Sequence, residues 1–520
     1  MRISTSQLHN LGLNAILDQQ AKLIRTQQQI ATGKRVLNPS DDPSAVASSI
    51  NINQSIKRTE QFQENINTAR SRQNLEEQTL AGINDIFNRI RELAIQGNKT
   101  SLTNTDRQTI ASEIRQNLAG LLSLSNTQDS NGEYLFSGYQ GMTQPFSVDS
   151  SGNYIYNGDN GQRYLQIGPG RQVAVSDSGV DVFQAIRNGN GSFTTRDNPA
   201  NAGTGVIDPG SVINAAASDG DTYSITFPIT TSATDTLVFG DNVGTDDDLN
   251  YTLNINGTTV YSVSESGTPV NTLEGLAAEI NDDSVTTGVK AYVANGTLYL
   301  GYTTPSTNPI TVTEGLSGGS DGDLDTATGY FGSALSGTTT PNADIAYNAG
   351  DADFYIVEDS AGNLETSGAY TSGSQIAFNG IATNISGSPR TSDSFTLSPS
   401  ANQDLFTTVE NLALALENGS DTPAGVAGLA NAVSRALTDI DQSMNNVEQI
   451  RSQVGSRLKA LDSQQDLNDA YSLQLQTTLS GLEDLDYADA ITRLEQQLTG
   501  LQAAQQSFVS IRGLSLFNFL

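Results

Sequence analysis

The 520-residue chain carries 26 Lys and Arg against 57 Asp and Glu, a formal net charge of −31, with no Cys, no Trp and one His. Disulfides, thiolate metal sites and cysteine nucleophiles are therefore excluded, and nucleic acid is disfavoured because phosphate binding needs a Lys/Arg footprint. No apolar run approaches the roughly 20 residues that cross a bilayer, so no membrane insertion is expected.

The length implies more than one domain. Residues 6–32 predict a helix. Leu13, Ile16, Leu23 and Ile30 form one seam, with Leu17, Ile24 and Ala31 beside it at steps of seven. Gln20 and Gln27 interrupt that stripe, which suits a helix stable only against partners. His9, the one candidate base for a Ser-His-Asp triad, stands among helix-forming residues here and reads as a bystander. The opening Met1-Arg2-Ile3-Ser4-Thr5 lacks the continuous apolar region of a cleavable secretory signal. Gly33 ends the helix. Residues 34–44 read equally as a structured break or an ordinary interhelix loop with Pro39 and Pro43, where Asp42 suits an N-cap and Pro43 the first turn.

A long helix is expected from Pro43 to about Gln96, with Ile52, Ile56, Phe62 and Ile66 early and Leu80, Ile83, Ile86, Phe87, Ile90 and Leu93 later. A Thr105-x-x-Gln108 capping box predicts the start of another helix, carrying Ile110, Ile114, Leu118, Leu121 and Leu122. After the turn dipeptide Asn131-Gly132, Glu133-Tyr134-Leu135-Phe136-Ser137 predicts the first strand.

From about Gly138 to 399 the composition shifts to Gly, Ser, Thr, Asn and Asp. Short alternating runs at 223–227, 251–255, 289–293 and 298–300 predict strands, with hairpin turns at Asn256-Gly257 and Asn295-Gly296. Between those hairpins residues 272–281 predict one short helix. Residues 141–400 hold 6 basic and 29 acidic side chains, a net −23 of the total −31. An acidic, small-residue β surface is usually a solvated exterior that resists adhesion. Helices resume at Asp404, with Leu405, Val409, Leu412 and Leu416 on one face. The cleanest pattern follows: Val433, Ile440, Val447, Val454 and Leu461 recur every seven residues, with Leu437, Met444, Arg451 and Leu458 as the companion column. That is a coiled-coil signal.

The last stretch, 485–520, repeats it. Tyr487, Ile491, Leu494, Leu498, Leu501 and Phe508 make two interleaved columns, with Gln505 as the polar member and Arg493, Glu495, Gln496 and Gln497 on the outer faces. A helix this apolar on one side needs a partner, and the sequence offers one at its other end. The expected fold is α+β and multidomain: a long α-helical coiled-coil bundle formed by N- and C-terminal segments, with an inserted β-rich middle domain. The expected divisions are 1–42 with 485–520 as terminal helices, 43–137 with 400–484 as a helical domain, and 138–399 as an outer domain. Residues 235–345 look like an extra subdomain within it.

Particular residues carry a resemblance. Asn38-Pro39-Ser40-Asp41-Asp42-Pro43, preceded by Thr32-Gly33-Lys34-Arg35, resembles the hallmark of the flagellin superfamily. The start at residues 1–5, the Gly132-Glu133-Tyr134-Leu135-Phe136 run and the end at 513–520 resemble, within it, the hook-associated proteins of the hook–filament junction. Gly380-Ile381, residues 385–389, 393–397 and 403–406 are similar to the same group, so the likeness covers about 1–140 and 345–520. Residues 271–300 look like a small module inserted in flagellins and their caps. The resemblance implies export without a cleaved signal through the flagellar apparatus, a homo-oligomeric ring built by the terminal helices, and neighbours that are another hook-associated protein and flagellin. It also implies an export chaperone that holds the C-terminal segment. The assembly interface would be Leu13, Ile16, Leu23, Ile30, Ile491, Leu494, Leu498, Leu501 and Phe508.

Two other readings compete. A flagellin-like filament subunit would share the architecture. An enzyme in the acidic middle region could use paired carboxylates, yet no pair stands out from the general acidic surface, and no catalytic residue, metal or cofactor is expected. Asp321-Gly322-Asp323-Leu324-Asp325 invites a calcium loop, but the sixth and twelfth positions are Thr326 and Gly332, where an EF-hand needs Gly and Glu.

Overall fold

The structure is a computed structural model and describes residues 5–240, 249–304, 306, 308–317, 326–336, 343–347 and 350–513. The acidic stretch 321–325 and the end-motif residues 1–4 and 514–520 lie outside them. The described helices are α1 (Thr5–Thr32), α2 (Pro43–Gly97), α3 (Asn104–Ser125), α4 (Leu273–Asp282), the single turn α5 (Ser284–Thr287), α6 (Leu405–Glu417), α7 (Pro423–Glu483) and α8 (Tyr487–Gly513). The chain is α+β and multidomain, helical at both ends and β-rich between. It divides into two compact units. One takes the chain up to Asn74, Arg163–Val175 and the chain from Val454; the other takes Leu75–Gln162 and Ser176–Gln453.

In the first unit the early part of α2 runs antiparallel to the late part of α7. Arg70 pairs with Asp462 at 2.8 Å, Gln63 donates to Asp469, and Ser49 donates to Glu483. A hairpin of Tyr164–Gly168 and Arg171–Ala174 closes over Ile66, Ala69 and Leu461 with Ile167 and Val173. Asn468 and Asn65 bind the backbone carbonyls of Ile167 and Gln166, at 3.0 and 2.7 Å.

In the second unit α3 packs on α6 beside the late part of α2 and the early part of α7. Ile83, Phe87, Ile90, Ile114, Leu121, Val409 and Leu412 are buried, and Arg115 of α3 is held between Glu410 and Glu417 of α6. Below this helical core five antiparallel strands run in the order Leu364–Ala369, Phe354–Glu358, Tyr223–Thr226, Ser394–Pro399, Phe193–Asp197. Phe227, Val357, Ile376, Ile385 and Phe395 join that sheet to the strands Gln375–Phe378 and Ile381–Ser386 in one core. The neighbouring strands Tyr223–Thr226 and Phe354–Glu358 are separated in sequence by a module with a core of its own. That core includes Tyr251, Leu253, Leu276, Ile280, Leu300 and Val312. The two Asn-Gly turns have positive φ at both residues, 50° and 82° at Asn256-Gly257 and 50° and 72° at Asn295-Gly296, as a type I′ hairpin requires.

Three expectations need correction. Helix α3 begins earlier than the Thr105–Gln108 reading: Thr103 is the N-cap, and Thr103 and Asp106 form the reciprocal capping box. An Asp at the third helical position reaches back as a Glu or Gln would. Residues 133–137 are not a strand. One isolated antiparallel bridge joins Tyr134 to Gln128; beyond it the Tyr134 amide goes to Gly141 and the Phe136 carbonyl accepts from Gly179, so the pairing is not extended into a ladder. The apolar signal there was real, because Leu135 and Phe136 are buried, but in a loop. Along α7, the column Val433, Ile440, Val447, Val454 and Leu461 is fully buried. Its deeper companion is Leu429, Ala436, Ser443 and Ile450, whereas Leu437, Met444 and Leu458 are half-buried.

Candidate assembly surface

The Asn38–Pro43 motif is a clamp at the entrance to α2. The Asp41 carboxylate accepts from the amides of Leu37 and Asn38 at 3.2 and 3.1 Å, and pairs with Arg25 of α1 at 2.7 Å. Asp42 caps α2, accepting from the Ala45 amide at 3.0 Å and the Ser44 hydroxyl at 2.9 Å; Pro43 fills the first turn, where a missing N–H costs nothing. Asn38 contributes its carbonyl to the Asp41 amide at 2.9 Å, and Pro39 is exposed on the turn. The same segment holds the joint between α7 and α8. The Arg35 amide donates to the Glu483 carbonyl at 2.7 Å, the Leu485 amide to the Gly33 carbonyl at 2.9 Å, and Lys34 pairs with the Glu483 side chain at 3.2 Å.

These contacts depress three carboxyl groups. The Asn38 amide, with Leu37 and Arg25, holds Asp41 below its ordinary 3.8; the Ala45 amide, with Ser44 and Arg35, does the same for Asp42. The Ser49 hydroxyl, with Lys34, lowers Glu483 from 4.5. A carboxyl whose folded value is depressed stabilises the fold above its ordinary value and loses that contribution as pH falls through the folded one. The clamp should therefore hold at pH 6 and loosen below about pH 4. Hydrogen exchange, corrected for intrinsic rates, should show the Leu37, Asn38 and Ala45 amides losing protection over that range. Protection that shows no fall at any pH below 4 while the chain remains folded would remove the carboxylates from the clamp.

Helices α1 and α8 lie antiparallel, and each divides into two stripes. The facing stripes contain Ile16, Leu23 and Ile30 of α1 and Leu494, Leu501 and Phe508 of α8, all half-buried. Beside them run positions that sequence patterning missed: Gly12, Gln19 and Thr26 on α1 with Gly33 just past its end, and Ala490, Gln497 and Ala504 on α8, each set at steps of seven. A Cβ on Gly12 would lie 2.9 Å from the Phe508 ring, and one on Gly33 2.9 Å from the Tyr487 hydroxyl. Each heptad thus pairs one large residue with one small or polar one. A search for large apolar residues finds only half of that seam, although the repeat of seven in Gly, Ala, Gln and Thr was there to be read. Gln497 was expected on the outer face; it is instead turned inward, its backbone carbonyl accepting from Gln19 Nε2 at 3.3 Å. Arg493 is also half-buried, while Glu495 and Gln496 are exposed as expected.

The second stripe on each helix is apolar and open. On α1 it comprises Leu13, Leu17 and Ile24, which are 47%, 52% and 53% exposed. On α8 it comprises Ile491, Leu498 and Val509, with Leu498 at 40%; Tyr487, half exposed, is in step with Leu494 and meets Gly33 instead. Gln20, Gln27 and Gln505 lie on these open stripes and are exposed. Of the nine expected interface residues, six therefore face the other terminal helix, and Leu13, Ile491 and Leu498 face outward. The mutual face satisfies each helix only in part. Contiguous exposed leucine and isoleucine on a long helix mark an interaction surface.

The bacterial flagellin N-terminal helical region matches residues 3–141, and the bacterial flagellin C-terminal helical region matches residues 437–520. With both terminal regions present in order around a β-rich middle, the chain carries the two terminal helical regions of bacterial flagellins. Within it, the chain is similar to flagellar hook-associated protein 3 of Escherichia coli, 30% identical over 186 residues, which cover 36% of this chain and 58% of that protein. The flagellar junction protein FlgL of Legionella pneumophila superposes with a TM-score of 0.55 at 26% identity, covering 84% of this chain and 100% of the solved one. A flagellin of Serratia marcescens aligns over less, 28% identical across 27% of this chain and 40% of its own length.

Proposed function

We propose that this chain is a structural subunit of the bacterial flagellum that joins hook to filament. It leaves the cell through the flagellar type III apparatus and assembles into a ring through α1 and α8. Its neighbours in the ring's axis are another hook-associated protein and flagellin, and an export chaperone covers the C-terminal segment before secretion. The carrying observation is the pair of open apolar stripes: six large hydrophobic side chains, Leu13, Leu17, Ile24, Ile491, Leu498 and Val509, 40% to 65% exposed on two paired helices. Burying such side chains contributes about 1.5–3 kcal/mol each when they pass fully from water into a contact. Partly covered ones contribute less, but a ring repeats the gain at every interface. The junction reading is favoured over a filament subunit by the longer match to hook-associated protein 3 than to flagellin. A strain lacking the gene should make hooks without filaments and release unattached filament subunits into the medium, as electron microscopy and assay of the medium would show. Normal filaments on such cells would refute the role.

A further inference from the structure

In the facing seam of α1 and α8, Thr26 bonds within its own helix, to the Lys22 carbonyl at 3.1 Å, whereas one level joins a polar side chain across the pair. There Gln19 Nε2 donates to the Gln497 backbone carbonyl at 3.3 Å, and the Gln497 side-chain Oε1 is buried with no hydrogen-bond partner among the described residues. Gly500 makes room for Gln19: a Cβ on Gly500 would lie 2.8 Å from Gln19 Nε2. Counting outward along the antiparallel pair places Gly12 level with Ala504 and Thr26 level with Ala490.

Taken by itself, a seam of repeating large residues discriminates poorly against sliding by one heptad, because Ile16 and Leu23 exchange one large partner for another; the Gly33–Leu485 joint anchors only the base of the pair. The polar level is not indifferent. A slip of seven would set Gln19 against Ala490 or Ala504 and Gln497 against Gly12 or Thr26. It would also remove the notch, since the residues seven away from Gly500 are Arg493 and Ser507. A single polar layer in an apolar helical seam fixes alignment at a cost in stability.

We propose that Gln19 and Gln497, with the notch at Gly500, are the register key of the terminal helix pair. The key holds α1 and α8 in the one alignment that brings the open stripes of Leu13, Leu17 and Ile24 and of Ile491, Leu498 and Val509 to fixed levels. Its use in assembly rests on the function proposed above; the register itself does not. Gln497 is then a positioning residue, acting on the interface through the helix that carries it.

The chain has no cysteine, so introduced pairs report alignment without background. In the full-length monomer Gly12→Cys/Phe508→Cys should cross-link on mild oxidation and Gly12→Cys/Leu501→Cys, one heptad away, should not. Adding Gln19→Leu and Gln497→Leu should leave the thermal transition equal or higher, yet lower the ratio of native to slipped cross-link by about tenfold or more, the equivalent of one hydrogen-bonded polar layer. Cross-linking confined to the native pair in the doubly substituted chain would overturn the proposal. So would loss of both cross-links, which would mean that the glutamines supply stability rather than alignment. Filament attachment is scored separately. A slipped register with normal attachment would leave the key in place and sink the assembly role of the stripes.

Discussion

Leu498→Asp should leave the melting of the isolated chain almost unchanged and abolish filament attachment. Leu498 is 40% exposed on the open stripe of α8, in line with Ile491 and Val509, so the monomer already tolerates water there. In an assembled ring the same position would enter an apolar contact. The leucine's lost contribution is then joined by the cost of desolvating a carboxylate, several kcal/mol together, and every interface that uses the stripe repeats the penalty. Leu501→Asp is the contrasting substitution. Leu501 is half-buried against α1, so a carboxylate there should loosen α8 within the monomer and expose the C-terminal helix to protease before any assembly step. Secreted Leu498→Asp protein that supports normal swimming would show that the open stripe is not the assembly surface. Equal protease sensitivity of the two variants would show that the stripes are not divided as their exposure indicates.

That contrast marks what patterning could and could not read. The seven-residue repeat of large apolar residues identified both terminal helices and placed Leu494, Leu501 and Phe508 on a seam. It could not separate the face turned to the partner helix from the face left open, since Ile491 and Leu498 repeat at the same interval as Leu494 and Leu501. What decides the matter is the small and polar column, Gly12, Gln19 and Thr26 against Ala490, Gln497 and Ala504, where the helix backbones come close. The same blind spot recurs on α7, where Ala436 and Ser443 lie deeper than Leu437 and Met444. In the β region the signal was carried by turns, and the Asn-Gly pairs located both hairpins because positive φ is a local demand. The clamp was legible only in part: Asp42 and Pro43 follow capping chemistry, but the reach of Arg35 to the carbonyls of Leu482 and Glu483 joins residues far apart in the chain.

The run at 133–137, expected as a strand, leads to the second large effect. Phe136 ends in a loop because its hydrophobic partners are aromatic rings rather than a neighbouring strand. Its ring meets Phe183 edge-on at 5.0 Å; Phe183 meets Phe146 at 5.2 Å; and Phe406 of α6 lies 5.1 Å from Phe146, stacked on Tyr154 at 5.0 Å and on Phe183 at 6.0 Å. Phe406 is fully buried and joins a helix to the Phe146–Val148 and Tyr154–Tyr156 hairpin and to the turn at Val180–Gln184. Phe406→Ala should cost about 3–5 kcal/mol, the range for a large buried aromatic that leaves a cavity. Part of that loss is the ring-on-ring geometry, about 0.5–1.5 kcal/mol per pair beyond area burial. Phe406→Leu, which refills most of the volume without the ring, should recover more than half of the stability. Denaturant titration separates the outcomes: a lower midpoint with unchanged slope is lost packing, while a lower slope means that the hairpin has come away from α6 before global unfolding. A midpoint unchanged in Phe406→Ala would mean that the aromatic cluster does not hold α6 to the loop beneath it.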